Sequence, residues 1–354
     1  MEKINNLKKL LKSSNEAILI HSPENRRYFT SFPSSDGYLV VTKSDAVFFT
    51  DSRYIEAAQK NCTCKAQLLT RLSVEVKNFL TDNKVEKVYA ETERLSVSLL
   101  SQLRKILSPI KVTPSQKLEG LINNLRSVKD ADEIENIKKA QAIAEEAFNH
   151  ILTFIKPGVT EKQIALELDF YMLSHGAEAL SFDTIAVTGE KTSMPHGVPD
   201  DVIVKEGDFV TMDFGAVYKG YHSDMTRTVA VGKASDEQKK IYDVVLCAQK
   251  NALSVLKKGL PCAEADKAAR SIIEEAGYGE YFGHGTGHGV GVEIHEGPNL
   301  SPRSTQKLQA GNVVTVEPGI YIPEKFGVRI EDMALITEKG YENLTSSPKE
   351  LIIL

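Results

Sequence analysis

Two pairs of carboxylates lie on strand-like sequence in the C-terminal part of the chain. The first pair, Asp213 and Asp224, occurs in FVTMDFG and YHSDMTRTVAV, and the intervening AVYKG predicts a β-hairpin. The turn falls at Tyr218-Lys219 if the two are direct partners, or at Lys219-Gly220 if Asp224 is diagonal to Asp213. Both registers leave the two side chains on one face, since side chains alternate along a strand. Apolar neighbours favour a buried hairpin over a solvated surface pair, and buried carboxylates require a cation.

A second pair, Glu317 and Glu331, occurs in NVVTVEPGIYI and GVRIED. The midpoint is residue 324, so the hairpin loop is predicted at Pro323-Glu324-Lys325. Arg329 lies two residues before Glu331 and therefore on the same face, whereas Asp332 points to the other face. Considered without the rest of the chain, Glu331 is better explained as a solvated carboxylate paired with Arg329.

A glycine-rich segment between the two pairs contains three of the eight histidines. Glycine occupies every odd position from 283 to 291, which makes a helix unfavourable and lets another backbone approach closely. In an extended segment His284 and His288 lie on the same side. His295 has the opposite parity, so the chain must bend or twist if this residue serves the same centre.

The four carboxylates and one imidazole form a hard, oxygen-rich set of donors. That set suits two divalent cations such as Mn²⁺ or Co²⁺, with Zn²⁺ and Fe²⁺ also admissible. Two such ions, about 3.5–4 Å apart, lower the pKa of a shared water towards neutrality. The chemistry predicted from these residues is hydrolysis of an amide, an ester or a phosphoester. The predicted donors are Asp213, Asp224, His288, Glu317 and Glu331.

The elements that must position these donors follow a repeated plan. Two helices are predicted at about 130–158 and 160–176, and two more at 236–257 and ending at 277, each pair being followed by strand-like segments. Three positions recur 101 residues apart: Lys156, Gly158 and Gly176 match Lys257, Gly259 and Gly277. Two unrelated helix hairpins would also produce such matches, but we favour two related αα-ββ halves.

The first third of the chain predicts a smaller α/β domain. Its strands are predicted at 17–20, 38–41, 46–49 and 85–91, and its helices at 52–60, 71–82 and 95–107, after an amino-terminal amphipathic helix. Residues 113–129 are polar and lack clear periodicity, so the domain boundary is placed within them. The predicted domains are residues 1–122 and 123–354.

The composition favours a cytoplasmic enzyme. The 354 residues carry a net charge of −5, which gives no basic excess for nucleic-acid binding. No apolar run approaches the roughly 18 residues of a membrane span, and the amino terminus lacks the apolar core of a signal peptide. The four cysteines contain no CxxC pair, which argues against a thiolate zinc site and against a disulfide framework.

The ordered donors, with PHG at 195–197 and HGTGHGVGVEIHE at 284–296, resemble the pita-bread metallopeptidases, which include aminopeptidase P, prolidase and methionine aminopeptidase. The amino-terminal domain, with NRRYFTSF at 25–32 and TDSRY at 50–54, resembles the creatinase/prolidase-type domain of the proline-specific members. The resemblance implies an α+β fold, in which a small α/β creatinase-type domain precedes a C-terminal pita-bread domain of two related αα-ββ halves.

The resemblance also implies a role for each donor. Asp213 would chelate one ion, and Asp224 and Glu331 would bridge both. His288 would complete one coordination shell, and Glu317 would bind one ion and act as the proton shuttle.

Four further residues are implied to act around the metal. His284 and His295 resemble the histidines that bind substrate and stabilise the transition state, and His196 resembles another that lines the pocket. Arg329 would contact a carboxylate or the substrate.

By the same resemblance the enzyme would hydrolyse peptides with proline at the second position, with Mn²⁺ as the first choice of metal, and would form a homodimer. Gly285, directly after His284, is more similar to small bacterial aminopeptidase P-type sequences than to prolidases, which favours an Xaa-Pro aminopeptidase. An Xaa-Pro dipeptidase (prolidase) is the alternative. A non-catalytic pita-bread binding protein is a remote one, because no donor is missing.

Overall fold

The computed structural model describes residues 2–354, which divide into two compact units between Arg126 and Ser127. The division follows residue 122, where the sequence placed the boundary, by four residues. None of the helices in the described residues combines the length and the apolar character needed to cross a membrane.

A mixed six-stranded sheet with the strand order β4-β3-β2-β1-β5-β6 forms the first unit. Its strands are β1 (Glu16–Ile20), β2 (Tyr38–Thr42), β3 (Ala46–Thr50), β4 (Lys65–Leu68), β5 (Lys87–Ala90) and β6 (Lys111–Pro114). Its helices are α1 (Glu2–Leu10), α2 (Pro23–Thr30), α3 (Ile55–Asn61), α4 (Glu75–Asp82), α5 (Val97–Leu107) and α6 (Gln116–Ser127). The sheet joins antiparallel pairs β1–β2 and β2–β3 to parallel pairs, as an α/β domain requires.

The segment 113–129, for which the sequence shows no clear periodicity and predicts no helix, is mostly occupied by α6. Leu118 and Ile122, four residues apart, are buried on one face of α6. Strands β4 and β6 and helix α2 were also missed, since each is short and rich in polar residues. The predicted strands at 17–20, 38–41 and 46–49 are confirmed.

Four long helices and thirteen short strands form the second unit. The helices are α7 (Ala131–Ile151), α8 (Glu161–Ser174), α9 (Asp236–Val255) and α10 (Cys262–Glu275). The strands are β7 (Ala179–Leu180), β8 (Ile185–Thr188), β9 (Phe209–Phe214), β10 (Ala216–Tyr218), β11 (Tyr221–His222), β12 (Met225–Ala230), β13 (Gly287–Gly289), β14 (Glu296–Leu300), β15 (Val313–Val316), β16 (Gly319–Ile322), β17 (Phe326–Arg329), β18 (Asp332–Ile336) and β19 (Tyr341–Asn343). The two main sheets have the orders β12-β9-β8 and β14-β13-β15-β18-β19.

The duplication predicted for this unit is confirmed by its local geometry. Gly158 and Gly259 both have left-handed φ angles, 98° and 84°, in the connection between the two helices of each half. The residues two positions later, Thr160 and Pro261, each form an isolated β-bridge. Helices α7 and α8 pack on β8, β9 and β12, whereas α9 and α10 pack on β15 to β18, so each helix pair covers strands of its own half. The α+β class with two αα-ββ halves is therefore confirmed.

Candidate metal centre

The first carboxylate hairpin has the second of the two predicted registers. Strand β9 pairs with β12 so that Asp213 lies opposite Thr226, and the turn is Lys219-Gly220. Both turn residues have left-handed φ angles, 48° and 80°, as a tight hairpin turn requires. Asp224 is therefore diagonal to Asp213, and both side chains lie on one face.

The second hairpin turns where the sequence places its loop. Strand β16 pairs with β17 and β15 with β18 about the same centre, residue 324, whose φ angle is 60°. Glu317 follows the end of β15, and Glu331 directly precedes β18. Both carboxylates thus lie at facing positions in the middle of the hairpin, at the break between the β15–β18 and β16–β17 ladders.

The glycine-rich segment forms strand β13, which lies between β14 and β15. A Cβ at Gly287 would collide with the carbonyl oxygen of Thr315, and a Cβ at Gly289 with that of Gly297. Glycine therefore lets three backbones pack closely. The chain bends after β13, and the ring of His295 returns to 4.4 Å from the ring of His288, as its opposite parity requires.

Helix α10 holds the beginning of this segment through two charged residues that sequence analysis missed. Arg270 donates to the carbonyl oxygen of His284 at 2.7 Å, and Asp266 accepts from the backbone N–H of Thr286 at 3.0 Å. Asp266 and Arg270 also pair with each other at 2.8 Å. Their opposite charges at positions i and i+4 were the available signal.

His288 and two carboxylates form a group that could hold a metal ion. One donor atom each from Asp224, His288 and Glu331 lies within 4.8 Å of the others. Nε2 of His288 lies 3.5 Å from Oδ2 of Asp224 and 3.3 Å from Oε1 of Glu317. Because Nδ1 of His288 donates to the carbonyl oxygen of Gly289 at 3.1 Å, the lone pair of Nε2 faces the carboxylates.

Arg329 connects the two hairpins, but its ion-pair partner is Asp213 rather than Glu331. Nη2 of Arg329 lies 2.6 Å from Oδ2 of Asp213, and its Nε donates to the Thr226 hydroxyl at 3.0 Å. That hydroxyl donates to Oε2 of Glu331 at 2.7 Å, and the Glu331 side chain is buried. The alternative of a solvated Glu331–Arg329 pair is therefore wrong.

Two carboxylate oxygens in this cluster are buried without a hydrogen-bond partner, Oδ1 of Asp213 and Oε1 of Glu331. An unpaired buried carboxylate oxygen is costly unless a cation compensates it. The residues present therefore fit a divalent metal ion.

The pKa shifts of the clustered side chains also favour a bound divalent cation. Burial raises the pKa of Asp224 and of Glu331 well above the ordinary values, and neighbouring carboxylates raise both further. Burial also raises the pKa of Glu317. It lowers the pKa of His288, which keeps the imidazole neutral. Four carboxylates thus share one guanidinium, that of Arg329, and bound cations would offset the excess negative charge.

Replacing Glu331 by glutamine is expected to stabilise the metal-free protein more at pH 8 than at pH 5. The folded state raises the pKa of Glu331, so it binds this proton more tightly than the unfolded chain, and stability falls as the pH rises from the unfolded pKa through the folded one. Each tenfold difference in proton affinity corresponds to about 1.4 kcal/mol. Thermal unfolding in a chelator measures the difference in Tm at both pH values. A difference that does not change with pH would contradict this reasoning, and Glu338→Gln, at an exposed side chain, is the control.

The donors open onto a cavity of about 680 Å³ in the second unit. His284, His295, His196 and Arg329 also line it, so the structure brings the five donors and these four residues, all nine predicted site residues, to one cavity. His284 donates from Nδ1 to the carbonyl oxygen of Gly285 at 2.8 Å and accepts at Nε2 from the Tyr321 hydroxyl at 2.9 Å. Apolar residues complete the wall: Phe182, Ile185, Pro195, Val198, Pro199 and Ile294.

Sequence analysis missed three hydroxyl residues that orient the predicted ones. The Thr226 hydroxyl joins Arg329 to Glu331, and the Thr315 hydroxyl donates to Glu317 at 3.0 Å. Tyr321 accepts from Arg329 at 3.0 Å. Thr226 lies two residues after Asp224, and Thr315 and Tyr321 lie two residues before and four after Glu317. Residues an even number of positions apart share a face of a strand, and this parity was the signal that could have found all three.

Family models match both units of the chain. Residues 135–338 match the model described as metallopeptidase family M24, and residues 3–128 match the Creatinase/Prolidase N-terminal domain. The chain is 37% identical to an Xaa-Pro dipeptidase from Pyrococcus furiosus over 98% of this chain and 99% of the relative.

Two solved structures resemble the whole chain. An Xaa-Pro dipeptidase from Bacillus anthracis superposes with a TM-score of 0.95 at 44% identity, covering 100% of this chain and 99% of the other. An X-Pro aminopeptidase from Thermotoga maritima superposes with a TM-score of 0.92 at 36% identity, covering 98% and 99%.

Proposed function

Because the chain belongs to metallopeptidase family M24 and carries the Creatinase/Prolidase N-terminal domain, we propose that this peptidase is an Xaa-Pro dipeptidase. It hydrolyses the bond between an amino acid and a following proline. The observation that carries the proposal is the convergence of four carboxylates and His288 on one cavity, with Oδ1 of Asp213 and Oε1 of Glu331 buried and unpaired. Two of the relatives described above are named Xaa-Pro dipeptidases.

Five residues would hold the metal in this proposal: Asp213, Asp224, His288, Glu317 and Glu331. Carboxylates and one imidazole suit two divalent ions, with Mn²⁺ preferred and Co²⁺, Zn²⁺ and Fe²⁺ compatible. When bound, the ions supply an activated water and a Lewis acid for the scissile carbonyl. Arg329 orients Asp213 by holding its Oδ2, so Oδ1, which has no hydrogen-bond partner, would be the oxygen that binds the metal.

Glu317 is the proton carrier of the reaction. A nitrogen that leaves as the secondary amine of proline must gain a proton, and the attacking water must lose one. Burial raises the pKa of Glu317, which suits a carboxylate that accepts a proton and then releases it. The hydrogen bond from the Thr315 hydroxyl fixes the orientation of its carboxylate.

The cavity histidines and the apolar wall bind the substrate. His295 stands beside the metal donors, where an N–H can stabilise the negative charge that develops on the carbonyl oxygen. Both ring nitrogens of His284 are already hydrogen-bonded, Nδ1 to the carbonyl oxygen of Gly285 and Nε2 to the Tyr321 hydroxyl, so His284 serves by lining the substrate cavity. His196 is an exposed residue of the cavity lining. An Xaa-Pro amide carries no N–H, so selectivity for proline must come from the shape of the apolar wall.

The choice of dipeptidase over aminopeptidase replaces the preference taken from the sequence. That preference rested on Gly285, but a Cβ there would lie 2.9 Å from the carbonyl oxygen of Leu300 and 3.1 Å from Cβ of Ser301. Close packing therefore accounts for the glycine without reference to substrate length. The full set of donors also argues against a non-catalytic binding protein. The homodimer and the cytoplasmic location stay predictions.

An assay of substrate length tests the proposal. With Mn²⁺ present, we expect an Xaa-Pro dipeptide such as Leu-Pro to be hydrolysed with a kcat/KM at least about tenfold above that of Leu-Pro-Gly, about 1.4 kcal/mol of discrimination. Leu-Gly serves as the control for the requirement for proline. Faster release of leucine from the tripeptide would make the protein an aminopeptidase, and no hydrolysis of any of the three would contradict the proposed function.

A further inference from the structure

Arg227 is a buried arginine whose five N–H donors are all used. Its side chain is 1% exposed, although it lies on β12 only three residues after Asp224. Four of its bonds go to backbone carbonyl oxygens and one to a carboxylate. The acceptors are the carbonyl oxygens of Thr226, Glu331, Ser347 and Pro348 and Oδ1 of Asp332.

Glu331 lacks neighbours of its own in a strand ladder. It lies between the end of β17 and the beginning of β18, where the chain passes from one sheet to another. Its N–H donates to the carbonyl oxygen of Thr226 at 3.1 Å, and its carbonyl oxygen accepts from Nη1 of Arg227. The Thr226 hydroxyl holds its side chain. Two adjacent residues of β12 therefore hold Glu331 at three points.

These contacts matter because the two carboxylate hairpins belong to different sheets. Asp213 lies on β9, which pairs with β12, whereas Glu331 adjoins β18 in the other main sheet. No strand pairing joins β12 to β18. The separation between the two sets of carboxylates thus depends on contacts outside the ladders: the single backbone bond from Glu331 to Thr226 and a few side-chain contacts. Among the latter, Nη1 of Arg227 bonds both sides of the junction.

Asp332 holds the guanidinium of Arg227 in place from the side opposite the cavity. Its carboxylate is 0% exposed and also accepts from Gln249 of α9 and Asn343 of β19, each at 3.0 Å, and from Lys349. Arg227 and Asp332 together lower the cost of burying each other's charge. The pair is therefore anchored to three separate elements behind Glu331.

We propose that the Arg227–Asp332 pair is a positioning device for the metal site: it sets Glu331 against Asp213 and Asp224 and thereby sets the affinity for divalent ions. This inference rests on the proposed function, because it presumes that these carboxylates bind metal. Neither residue lines the cavity. Residues that orient metal ligands from behind commonly change metal affinity by about 10–100-fold when they are replaced.

Calorimetric titration of the metal-free protein with Mn²⁺ tests the proposal. Arg227→Lys keeps the charge but has too few donors to reach all five acceptors, and we expect it to raise the Kd for Mn²⁺ about tenfold or more. Arg26→Lys is the matched control, because Arg26 is likewise 1% exposed and bonds carbonyl oxygens of Ser34 and Gly37 in the first unit. It should lower thermal stability and leave the Kd unchanged.

Asp332→Asn is the second variant, should Arg227→Lys not fold. It keeps the shape of the side chain and removes the charge that orients Arg227, so we expect a smaller rise in Kd in the same direction. A folded variant of either residue that binds Mn²⁺ with the wild-type Kd, whatever its Tm, would overturn this inference alone. Failure of the unmodified protein to bind Mn²⁺ would overturn both this inference and the proposed function.

Discussion

Replacing Glu317 by glutamine is expected to lower kcat for Xaa-Pro hydrolysis by about 10²–10⁴-fold, the usual contribution of a general acid–base group. Glutamine has nearly the shape of glutamate but cannot accept the proton of the water and pass it to the proline nitrogen. The side chain can still accept the hydrogen bond of the Thr315 hydroxyl, so the fold should be unchanged.

The measurement is steady-state hydrolysis of Leu-Pro at saturating Mn²⁺, since glutamine also replaces a proposed metal donor. Circular dichroism and the bound Mn²⁺ content show whether the variant is folded and loaded. Asp183→Asn is the matched control, because Asp183 lines the same cavity outside the carboxylate cluster, and we expect less than a tenfold effect there. More than a tenth of the wild-type kcat in Glu317→Gln would refute its role as proton carrier.

Removal of metal by a chelator is expected to abolish hydrolysis, and Mn²⁺ or Co²⁺ is expected to restore it. The ions would supply the activated water. The single serine or cysteine among the described lining residues, Ser301, makes no side-chain hydrogen bond to a histidine or carboxylate that could activate it as a nucleophile. Metal analysis of the restored enzyme should give two ions per chain. Mn²⁺ should also raise Tm, because a ligand at one hundred times its Kd stabilises the folded state by about 2.7 kcal/mol.

A variant in which Asp224 and Glu331 are both replaced by their amides separates specific binding from a general effect of salt. It removes two members of the group whose donor atoms lie within 4.8 Å of one another. Mn²⁺ should leave its Tm unchanged. Full activity of the unmodified protein after chelation, with less than a tenth of an ion per chain, would rule out the metal-dependent mechanism.

Local rules explain why much of the site could be predicted. Side-chain alternation along a strand has a period of two, so the shared face of Asp213 and Asp224 follows from their spacing alone. The midpoint of Glu317 and Glu331 identifies the hairpin loop because both strands are in register about residue 324. Alternating glycines indicate close backbone contact wherever they occur.

Contacts between distant segments could not be predicted in this way. The sequence of the first hairpin is compatible with two turns, and the observed one depends on left-handed φ angles at Lys219-Gly220. The sequence places Arg329 on the face of Glu331, yet its partner is Asp213, which lies 116 residues away. Helix α6 was missed because its sequence shows little periodicity, and the burial of Leu118 and Ile122 depends on the core against which they pack.

The side chains of the proposed metal centre can be named from the sequence, because their chemistry, order and parity are properties of short segments. How those side chains meet depends on packing between segments that are far apart in the chain. Glu331 and Asp213 belong to hairpins of different sheets, and no strand ladder fixes the distance between them. That distance is set by Thr226, Arg227 and Arg329, whose hydrogen bonds cross the junction and form only when the two halves have packed together.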